Sequence, residues 1–314
     1  MRVAITGGSG FIGTNLMLYL QEREPNTEIV IVDIVPPQAK MGPNTKFIYT
    51  DIRDLNSLLT AFQGVDEVYH LAGILGTSEL IPISALAASV NIVGANNVLD
   101  AAHRRGVSRV YNVAKPHFDG YYENAYTLTK HGGELLGQMY QQQFGMEVAT
   151  VRWLNAVGPY QHLYPVRKFL PMMILLAMYG KPLEVYGDGT QTIDPIDTRD
   201  LARFTVHAIR HLGKADKIVD LGSGRAISCN DAARTIRDEV ARFYRSSPVE
   251  IRNTPMRVGE KEGVNLVANM DYWTSVGMET EYDFGASIRE TIKYMDGLPG
   301  EHLKNAMHFY GHKV

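Results

Sequence analysis

Short apolar runs alternate with longer amphipathic stretches along the first half of the chain. The apolar runs are nearly continuous, as expected of strands that are buried on both faces of a parallel sheet. Their alternation with helical patterns predicts β–α–β units and a sheet covered by helices on both sides. The predicted strands are 3–6, 28–33, 46–49, 67–70, 109–113 and 148–152, and the predicted helices are 13–23, 55–62, 83–105 and 125–144.

The second half is less regular. The glycines of Gly187-Asp188-Gly189 predict a turn, and residues 218–221 predict one more strand. Ser228 fits the N-cap of a helix that runs to about residue 244. The tail from about residue 297 is weakly patterned, so we expect it to pack late or to be mobile.

These patterns predict an α/β protein with a doubly wound, Rossmann-type parallel sheet and a smaller C-terminal lobe. The chain has 314 residues, which suits two domains at roughly 150 residues each. We expect the first domain to comprise residues 1–166 together with 194–224, and the second to comprise 167–193 and 225–314.

Composition narrows the functional classes. The chain is 45% hydrophobic and 21% charged, so it is globular rather than disordered. A formal net charge of −3 provides no general attraction to nucleic acid or anionic lipid. The single cysteine, Cys229, excludes an internal disulfide and a multi-cysteine metal site, and no metal is expected. The longest apolar run, 169–179, is shorter than the roughly 20 residues of a membrane span, and the first residues read as a strand rather than a signal peptide. We therefore expect a cytoplasmic protein.

A glycine-rich turn joins the first predicted strand to the first helix. Gly7, Gly10 and Gly13 allow a tight turn, close approach to a pyrophosphate and close packing of helix on strand. The amino end of the helix offers free N–H groups to the phosphates. Asp33 ends the second strand, where a carboxylate can accept hydrogen bonds from both hydroxyls of the adenosine ribose and would repel a 2′-phosphate. This strand–turn–helix context predicts a dinucleotide site that favours NAD over NADP.

Two further segments are candidates for the same site. Asp51 and Ile52 follow the third strand, where such folds often hold the adenine, although Asp51 could equally cap the helix at Leu55. The small residues of Leu71-Ala72-Gly73 allow the backbone to approach the cofactor. His70 precedes them and reads as a core histidine, because its strand is buried on both faces.

Tyr126 and Lys130 lie four residues apart, hence on one face of a predicted helix. An unperturbed tyrosine, with a pKa of about 10, is a poor base at neutral pH. A nearby ammonium and an oxidised nicotinamide both favour the phenolate, and Lys130 can also hold the nicotinamide ribose. The pair therefore predicts a catalytic base and its partner.

Together these residues resemble the extended short-chain dehydrogenase/reductase family, and within it the nucleotide-sugar epimerases of the UDP-glucose 4-epimerase type. The resemblance covers nearly the whole chain, with the pieces in order and at similar spacing. The pieces are Gly7/Gly10/Gly13, Asp33, residues 70–73, Asn91, Tyr126/Lys130, residues 152–155, Gly158-Pro159, residues 187–191, residues 221–224, and Arg257 with Gly259.

The resemblance implies that the first domain binds NAD and the second binds a nucleotide-diphosphate sugar, with a UDP-sugar as the favoured substrate. Tyr126 would take a proton from a sugar hydroxyl while a hydride moves to the nicotinamide, and the keto-sugar would turn and take the hydride back on its other face. It also implies a homodimer through helices 83–105 and 125–144. The implied cofactor contacts are Gly7, Gly10, Phe11, Ile12, Gly13, Asp33, Asp51, Ile52, Leu71, Ala72, Gly73, Val113, Tyr126, Lys130 and Trp153, and the implied substrate contacts are Asn155, Gln191 and Arg257.

The chain departs from this family after the fifth strand, where a Ser/Thr cluster usually ends in a hydroxyl that contacts the reacting sugar oxygen. Lys115 falls on that position, eleven residues before Tyr126, and no Ser or Thr occurs from residue 113 to 125. Lys115 could take the hydroxyl's place as a catalytic residue. His117, Thr77 or Ser78 could take it instead, or the site could be impaired.

A second departure is Ile193, where the family commonly has an arginine that touches the diphosphate; Arg167, Lys168 or Arg199 could compensate. Related dehydratases and decarboxylases use a carboxylate beside the missing hydroxyl, where this chain has Pro116 and His117. Epimerisation is therefore favoured. Two further hypotheses stay open: a dehydratase- or decarboxylase-type enzyme, and a catalytically impaired protein that binds NAD or a nucleotide sugar.

Overall fold

The structure is a computed structural model that describes residues 1–116, 124–213, 217–256, 263 and 265–313. In chain order its strands are β1 (Arg2–Thr6), β2 (Glu28–Asp33), β3 (Thr45–Tyr49), β4 (Glu67–His70), β5 (Arg109–Ala114), β6 (Glu147–Trp153), β7 (Asn155–Val157), β8 (Leu183–Tyr186), β9 (Thr192–Ile193), β10 (Pro195–Asp197), β11 (Val219–Leu221), β12 (Ile227–Ser228) and β13 (Ile251–Thr254).

The α-helices are α1 (Phe11–Arg23), α2 (Leu55–Ala61), α3 (Ser84–Ala88), α4 (Ala95–Arg105), α5 (Ala125–Phe144), α6 (Phe169–Met178), α7 (Thr198–His211), α8 (Cys229–Tyr244), α9 (Asp271–Ser275), α10 (Phe284–Asp296) and α11 (Gly300–Phe309). A 3₁₀ turn, Ile81–Ile83, precedes α3, and a π-helical segment, Ser89–Gly94, joins α3 to α4.

Seven strands form the main sheet in the order β11-β6-β5-β4-β1-β2-β3. The pairs β1–β2, β2–β3, β1–β4, β4–β5 and β5–β6 are parallel. The order of the strands reverses between β1 and β4, and ligands of such sheets bind beyond the carboxyl ends of the strands at that switch point. The predicted doubly wound fold is confirmed. We call the side of the sheet at which β1, β4, β5 and β6 end the carboxyl edge.

The predicted helix 83–105 is helical throughout but is not one regular α-helix. The π-helical segment interrupts it, and Gly94 at the end of that segment faces the side chain of Ile52, whose Cδ1 lies 2.5 Å from where a Cβ at Gly94 would stand. Among the described residues, Ile81–Arg105 is the one helical stretch long and apolar enough to cross a membrane by length and composition, with a mean hydropathy of 1.3. It ends in His103, Arg104 and Arg105, and α4 packs against α2 and α5.

The chain divides into two compact units, Met1–Trp153 with Leu201–Asp220, and Leu154–Asp200 with Leu221–Val314. The first unit therefore ends before residue 166, and residues 154–166, 194–200 and 221–224 lie in the second unit instead of the expected first. The reason is that β7 pairs with β10 in a separate two-stranded sheet and does not extend the main one.

The second unit has an apolar core of its own, built on α6, which is buried over most of its length, and on α8, α10 and α11. Ser228 caps α8 as predicted, its hydroxyl accepting from the N–H of Asp231. The expectation of a late-packing or mobile tail was wrong. Helix α11 buries Leu303, Ala306 and Met307 in this core, because its apolar positions recur at helical spacing.

Candidate active site

The glycine turn after β1 is packed backbone against backbone. Gly7 has a φ of +68°, and a Cβ there would stand 2.7 Å from the backbone of Ala72. A Cβ on Gly13 would stand 2.3 Å from the carbonyl oxygen of Gly7. Only glycine fits these positions, which bring α1, the turn and the segment after β4 together. Gly8 belongs to the same packing, since a Cβ there would stand 2.9 Å from Ile31.

Helix α1 begins with its first N–H groups unused by any side chain. Its N-cap is Gly10, there is no side-chain cap, and the first turn carries no acidic residue. By contrast, α2 is capped by Asp54 and α5 by Asn124. An uncapped amino end of a helix, beside a glycine-rich turn, suits the phosphates of a dinucleotide.

Asp33 is fixed at the end of β2, next to this turn. Its Oδ2 accepts from the N–H of Ser9 at 3.0 Å, and its Oδ1 accepts from the N–H of Ile34 at 2.7 Å and of Val35 at 3.3 Å. Ser9 also donates its hydroxyl to the carbonyl of Val35 at 2.7 Å. The carboxylate therefore has a fixed orientation where the sequence places the ribose contact, and its negative charge disfavours a 2′-phosphate.

Asp51 is engaged by its own loop. Both of its oxygens accept from the guanidinium of Arg53, and this lowers the pKa of Asp51. The suggested role as cap of α2 was wrong for this residue, because Asp54 caps the helix through the N–H groups of Asn56 and Ser57. The side chain of Ile52 is buried, and the carboxylate of Asp51 is already paired with Arg53. Their assignment to the adenine stays a prediction.

The end of β4 is held to β1 by hydrogen bonds. Thr6 Oγ1 lies 2.9 Å from Nδ1 of His70 and accepts from the N–H of Ala72 at 3.4 Å. His70 is buried, and burial together with the charge of Lys130 lowers its pKa to about 3. It is a neutral core histidine, as expected. Lys130 consequently lies close to the end of β4.

Asn91, in the π-helical segment, fastens the loop after β4 to α5. Its Oδ1 accepts from the N–H of Ile74, and its Nδ2 donates to the carbonyl of Ile74, both at 2.9 Å. The same Nδ2 donates to Thr129 Oγ1 at 3.0 Å. Gly73 leaves room for this side chain, since a Cβ there would stand 3.0 Å from Asn91 Oδ1. The first turns of α5 are thereby fixed at the carboxyl edge.

Tyr126 and Lys130 lie on these first turns of α5. Both are partly buried, and none of the described residues hydrogen-bonds to the phenol oxygen of Tyr126 or to Nζ of Lys130. Burial raises the pKa of Tyr126 to about 12 and lowers the pKa of Lys130 to about 8. The pair can exchange a proton with a ligand, and a positive charge brought in with a ligand would favour the phenolate.

Two predicted cofactor residues sit at the ends of β5 and β6. Val113 is partly buried on β5 opposite Val151. Trp153 donates its indole N–H to the hydroxyl of Tyr111 at 2.5 Å, so its polar atom is already used inside the first unit. Any contribution of Trp153 to a cofactor site must come from its ring or its backbone.

Lys115 follows β5 directly and is also partly buried at the carboxyl edge. Its Nζ donates to the carbonyl of Pro116 at 3.2 Å, and burial lowers its pKa. Three residues were candidates for the same role. Of these, His117 lies outside the described residues, and the hydroxyl-bearing Thr77 and Ser78 lie in the loop after β4.

The predicted substrate residues belong to the second unit. Asn155 Oδ1 accepts from the backbone N–H of Asp194 at 3.2 Å, which leaves its amide NH₂ group with no partner among the described residues. Gln191 donates from Nε2 to the carbonyl of Tyr186 at 2.7 Å. Arg257 lies outside the described residues, so all three substrate assignments stay predictions.

Of the three cations that could compensate for Ile193, two are engaged. Arg199 makes paired 2.8 Å hydrogen bonds to Asp197 and stacks 3.5 Å above the ring of Tyr282. Arg167 donates to the carbonyl of Phe309 at 3.3 Å. Lys168 is partly buried at the start of α6, and burial lowers its pKa to about 8.

Sequence reasoning missed three features that organise these sites: the packing of Gly8, the fastening role of Asn91, and Asp194. Asp194 is fully buried and accepts from the N–H of Ser223 at 2.7 Å, of Gly224 at 3.1 Å and of Ala268 at 2.8 Å. The sequence marks Gly222-Ser223-Gly224 only as the end of a strand. An acidic residue inside an apolar stretch was the available signal that something must hydrogen-bond to it.

Comparisons with known proteins agree with this geometry. Residues 3–222 match the profile of the NAD dependent epimerase/dehydratase family. The trifunctional UDP-glucose 4,6-dehydratase/UDP-4-keto-6-deoxy-D-glucose 3,5-epimerase/UDP-4-keto-L-rhamnose-reductase RHM3 of Arabidopsis thaliana is 28% identical over 261 residues, which are 74% of this chain and 39% of that protein. The chain thus spans about two fifths of the length of these plant relatives.

Two solved structures share the fold. The UDP-glucose 4-epimerase of Thermus thermophilus in complex with NAD superposes with a TM-score of 0.82 at 22% identity, over 95% of this chain and 100% of that one. The dTDP-glucose 4,6-dehydratase DesIV of Streptomyces venezuelae superposes with a TM-score of 0.80 at 24% identity, over 94% and 97%. Since the family profile covers well over half of the sequence, this chain belongs to the NAD-dependent epimerase/dehydratase family.

Proposed function

We propose that this protein is an NAD-dependent nucleotide-sugar epimerase that inverts the C4 centre of a UDP-sugar. The observation that carries the proposal is the Tyr126–Lys130 pair on the first turns of α5, whose polar ends have no partner among the described residues and whose Lys130 lies close to His70 at the end of β4. The UDP-glucose epimerase among the structural neighbours supports the choice of nucleotide and carbon.

The residues that would hold NAD follow from the geometry. The N–H groups at the start of α1 and the bare backbone of the glycine turn suit the diphosphate, and Asp33 suits the adenosine ribose. When bound, NAD supplies the carrier for the hydride that leaves the sugar carbon.

Tyr126 is the base that receives the proton released from the sugar hydroxyl and later returns it. In the unliganded protein its pKa of about 12 makes it a weak base, so the reaction needs positive charge near the phenol. Lys130 stands one helical turn away on the same face, and its ammonium favours the phenolate when it is protonated. Although burial lowers the pKa of Lys130 to about 8, most of the amine is still protonated at neutral pH.

Epimerisation is favoured over dehydration because it needs no acid to expel water. The residue after Lys115 is Pro116, which carries no acid. Loss of water from a keto-sugar requires a group that protonates the leaving hydroxyl. A dehydratase- or decarboxylase-type reaction is the second candidate, since family members of that kind share the fold.

The decisive experiment follows the products and the bound cofactor together. Purified protein is incubated with UDP-glucose, UDP-N-acetylglucosamine or UDP-glucuronic acid; the sugars are separated by chromatography, and absorbance near 340 nm reports reduced cofactor. We expect the C4 epimer of one of these, and loss of turnover by at least about 100-fold in Tyr126→Phe. Tyr244→Phe, which changes an equivalent hydroxyl on α8, is the matched control. A 4-keto-6-deoxy product would identify a dehydratase instead, and binding without turnover would identify a binding protein.

We further propose a cytoplasmic homodimer. The large apolar residues Leu128, Leu135 and Met139 recur at helical spacing on α5, and all three are exposed. Leu86 and Val93, on the neighbouring stretch before α4, are exposed as well. Such a patch suits burial against a second copy. Light scattering should report a dimer that Leu135→Lys converts to monomers; a monomeric wild type would contradict the proposal.

A further inference from the structure

Several hydrogen-bond donors of the described residues near the carboxyl edge are already used within the chain. Asn112 donates to the carbonyl of Gly133 at 3.0 Å, and Thr129 donates to the carbonyl of Ala125 at 2.7 Å. The indole N–H of Trp153 is taken by Tyr111. His70 shares its Nδ1 with Thr6. These groups are already engaged in hydrogen bonds within the chain.

Two charged groups close to this edge are engaged with each other. Arg152, near the end of β6, makes two 2.7 Å hydrogen bonds to Glu134, which is itself buried on α5. His131 lies 3.4 Å from the same carboxylate. A bidentate arginine–carboxylate pair of this kind is held in one orientation and has little capacity left for a substrate oxygen.

Three groups at this edge keep hydrogen-bonding capacity that no described residue uses: the Tyr126 phenol, the Lys130 amine and the Lys115 amine. Lys115 is the first residue after β5, and β5 lies between β4 and β6 in the sheet. The central strands therefore fix the position of its backbone. Its Nζ makes one hydrogen bond within the described residues, to the carbonyl of Pro116. Its other N–H groups have no partner among the described residues, so they can donate to a ligand oxygen.

Resting on the proposed function, we propose that Lys115 is a third catalytic residue, whose amine contacts the sugar oxygen that becomes a carbonyl and relays the proton between that oxygen and Tyr126. During oxidation of the sugar, the neutral amine accepts the hydroxyl proton and gives one of its own protons to the Tyr126 phenolate. The amine ends neutral, the phenol ends protonated, and the hydride leaves with NAD. During reduction of the keto-sugar, the two proton transfers run in reverse.

An amine suits this role in the present site. Burial lowers the pKa of Lys115, which increases the neutral fraction able to accept a proton. An amine can accept and donate in one relay, as a hydroxyl can, whereas a methylene chain of the same length cannot.

The first test needs no turnover. Binding of UDP-glucose and of UDP-4-deoxyglucose is measured by calorimetry with NAD present, on wild type, on Lys115→Met and on the exposed control Lys304→Met. We expect wild type and Lys304→Met to prefer UDP-glucose by about threefold to tenfold, as one hydrogen bond allows, and Lys115→Met to lose that preference. Equal preference in all three proteins would overturn the proposal.

The second test measures turnover and guards against misfolding. We expect kcat to fall by about 100-fold or more in Lys115→Met and by less in Lys115→Ser, which restores a hydroxyl. Wild-type protein treated with acetic anhydride should be modified at Lys115 in the free state and protected at Lys115, but not at Lys304, by NAD with UDP-glucose. Unchanged or increased turnover in Lys115→Met, or no protection of Lys115, would refute the relay. The results distinguish the relay through Lys115 from the proposed function. An active Lys115→Met with an inactive Tyr126→Phe refutes only the relay, whereas an active Tyr126→Phe refutes the proposed mechanism.

Discussion

Replacement of Gly13 by alanine should destabilise the protein although alanine is the better helix former. Gly13 lies in the first turn of α1, and helix preference alone predicts a gain of about 1 kcal/mol for alanine. The tertiary contacts oppose this gain. A Cβ at Gly13 would stand 2.3 Å from the carbonyl oxygen of Gly7 and 2.5 Å from Cα of Gly8.

The magnitude follows from what must move. Both facing atoms belong to the backbone, so no side chain can rotate away, and the turn has to shift by about 1 Å to restore a normal contact. Overpacking of this kind costs about 1–3 kcal/mol, and the rigid neighbours place Gly13→Ala near the upper value. Subtracting the helix gain leaves a net loss of about 2 kcal/mol, or about 4–8 °C in Tm for a unit of this size.

The assay compares thermal unfolding with and without NAD. Gly300→Ala is the matched control, because Gly300 also lies in the first turn of a helix and has no heavy atom within 4 Å of its Cβ position. We expect Gly13→Ala to lower Tm and to lose most of the stabilisation by NAD, while Gly300→Ala leaves both unchanged or slightly raised. If Gly13→Ala raises Tm as Gly300→Ala does and still binds NAD, the packing inferred for the glycine turn is wrong.

Two other substitutions test buried charges. Asp194→Asn keeps the size of the side chain but turns one acceptor into an NH₂ group opposite the buried N–H groups of Gly224 and Ala268. We expect the free energy of unfolding, measured in urea, to fall by at least about 2 kcal/mol. The exposed control Asp188→Asn should change it little, and equal effects of the two substitutions would contradict the buried role of Asp194. Lys130 has a folded pKa of about 8 against an ordinary 10.5, so between these values the unfolded chain binds more protons and stability rises with pH. Lys130→Met should weaken that rise and increase stability at pH 7 while abolishing turnover, and an unchanged slope would show that Lys130 is not desolvated.

Most of the first unit could be read from the sequence because its signals are local. Continuous apolar runs located the six parallel strands to within about a residue at each end; the bounds of β2, β4 and α5 match the prediction. The glycine turn and Asp33 were equally predictable, since the requirement for no side chain is imposed by the turn itself. Tyr126 and Lys130 were predictable because four residues on a helix always place two side chains on one face.

The tertiary structure alone decided which of those groups remain free. Asn91, Asp194 and Arg152 are ordinary polar residues in the sequence, and their partners lie 17 to 74 residues away in the chain. No local pattern therefore distinguishes a residue that holds the fold together from one that binds a ligand. The same long-range packing decided where the first unit ends and made the last helix part of the second core. Lys115 shows the division most clearly: the chain specifies an amine after β5, but only the folded edge, where the neighbouring donors are already taken, makes that amine a candidate for chemistry. Local periodicity determines elements, whereas hydrogen-bond partners and desolvation are properties of the assembled fold.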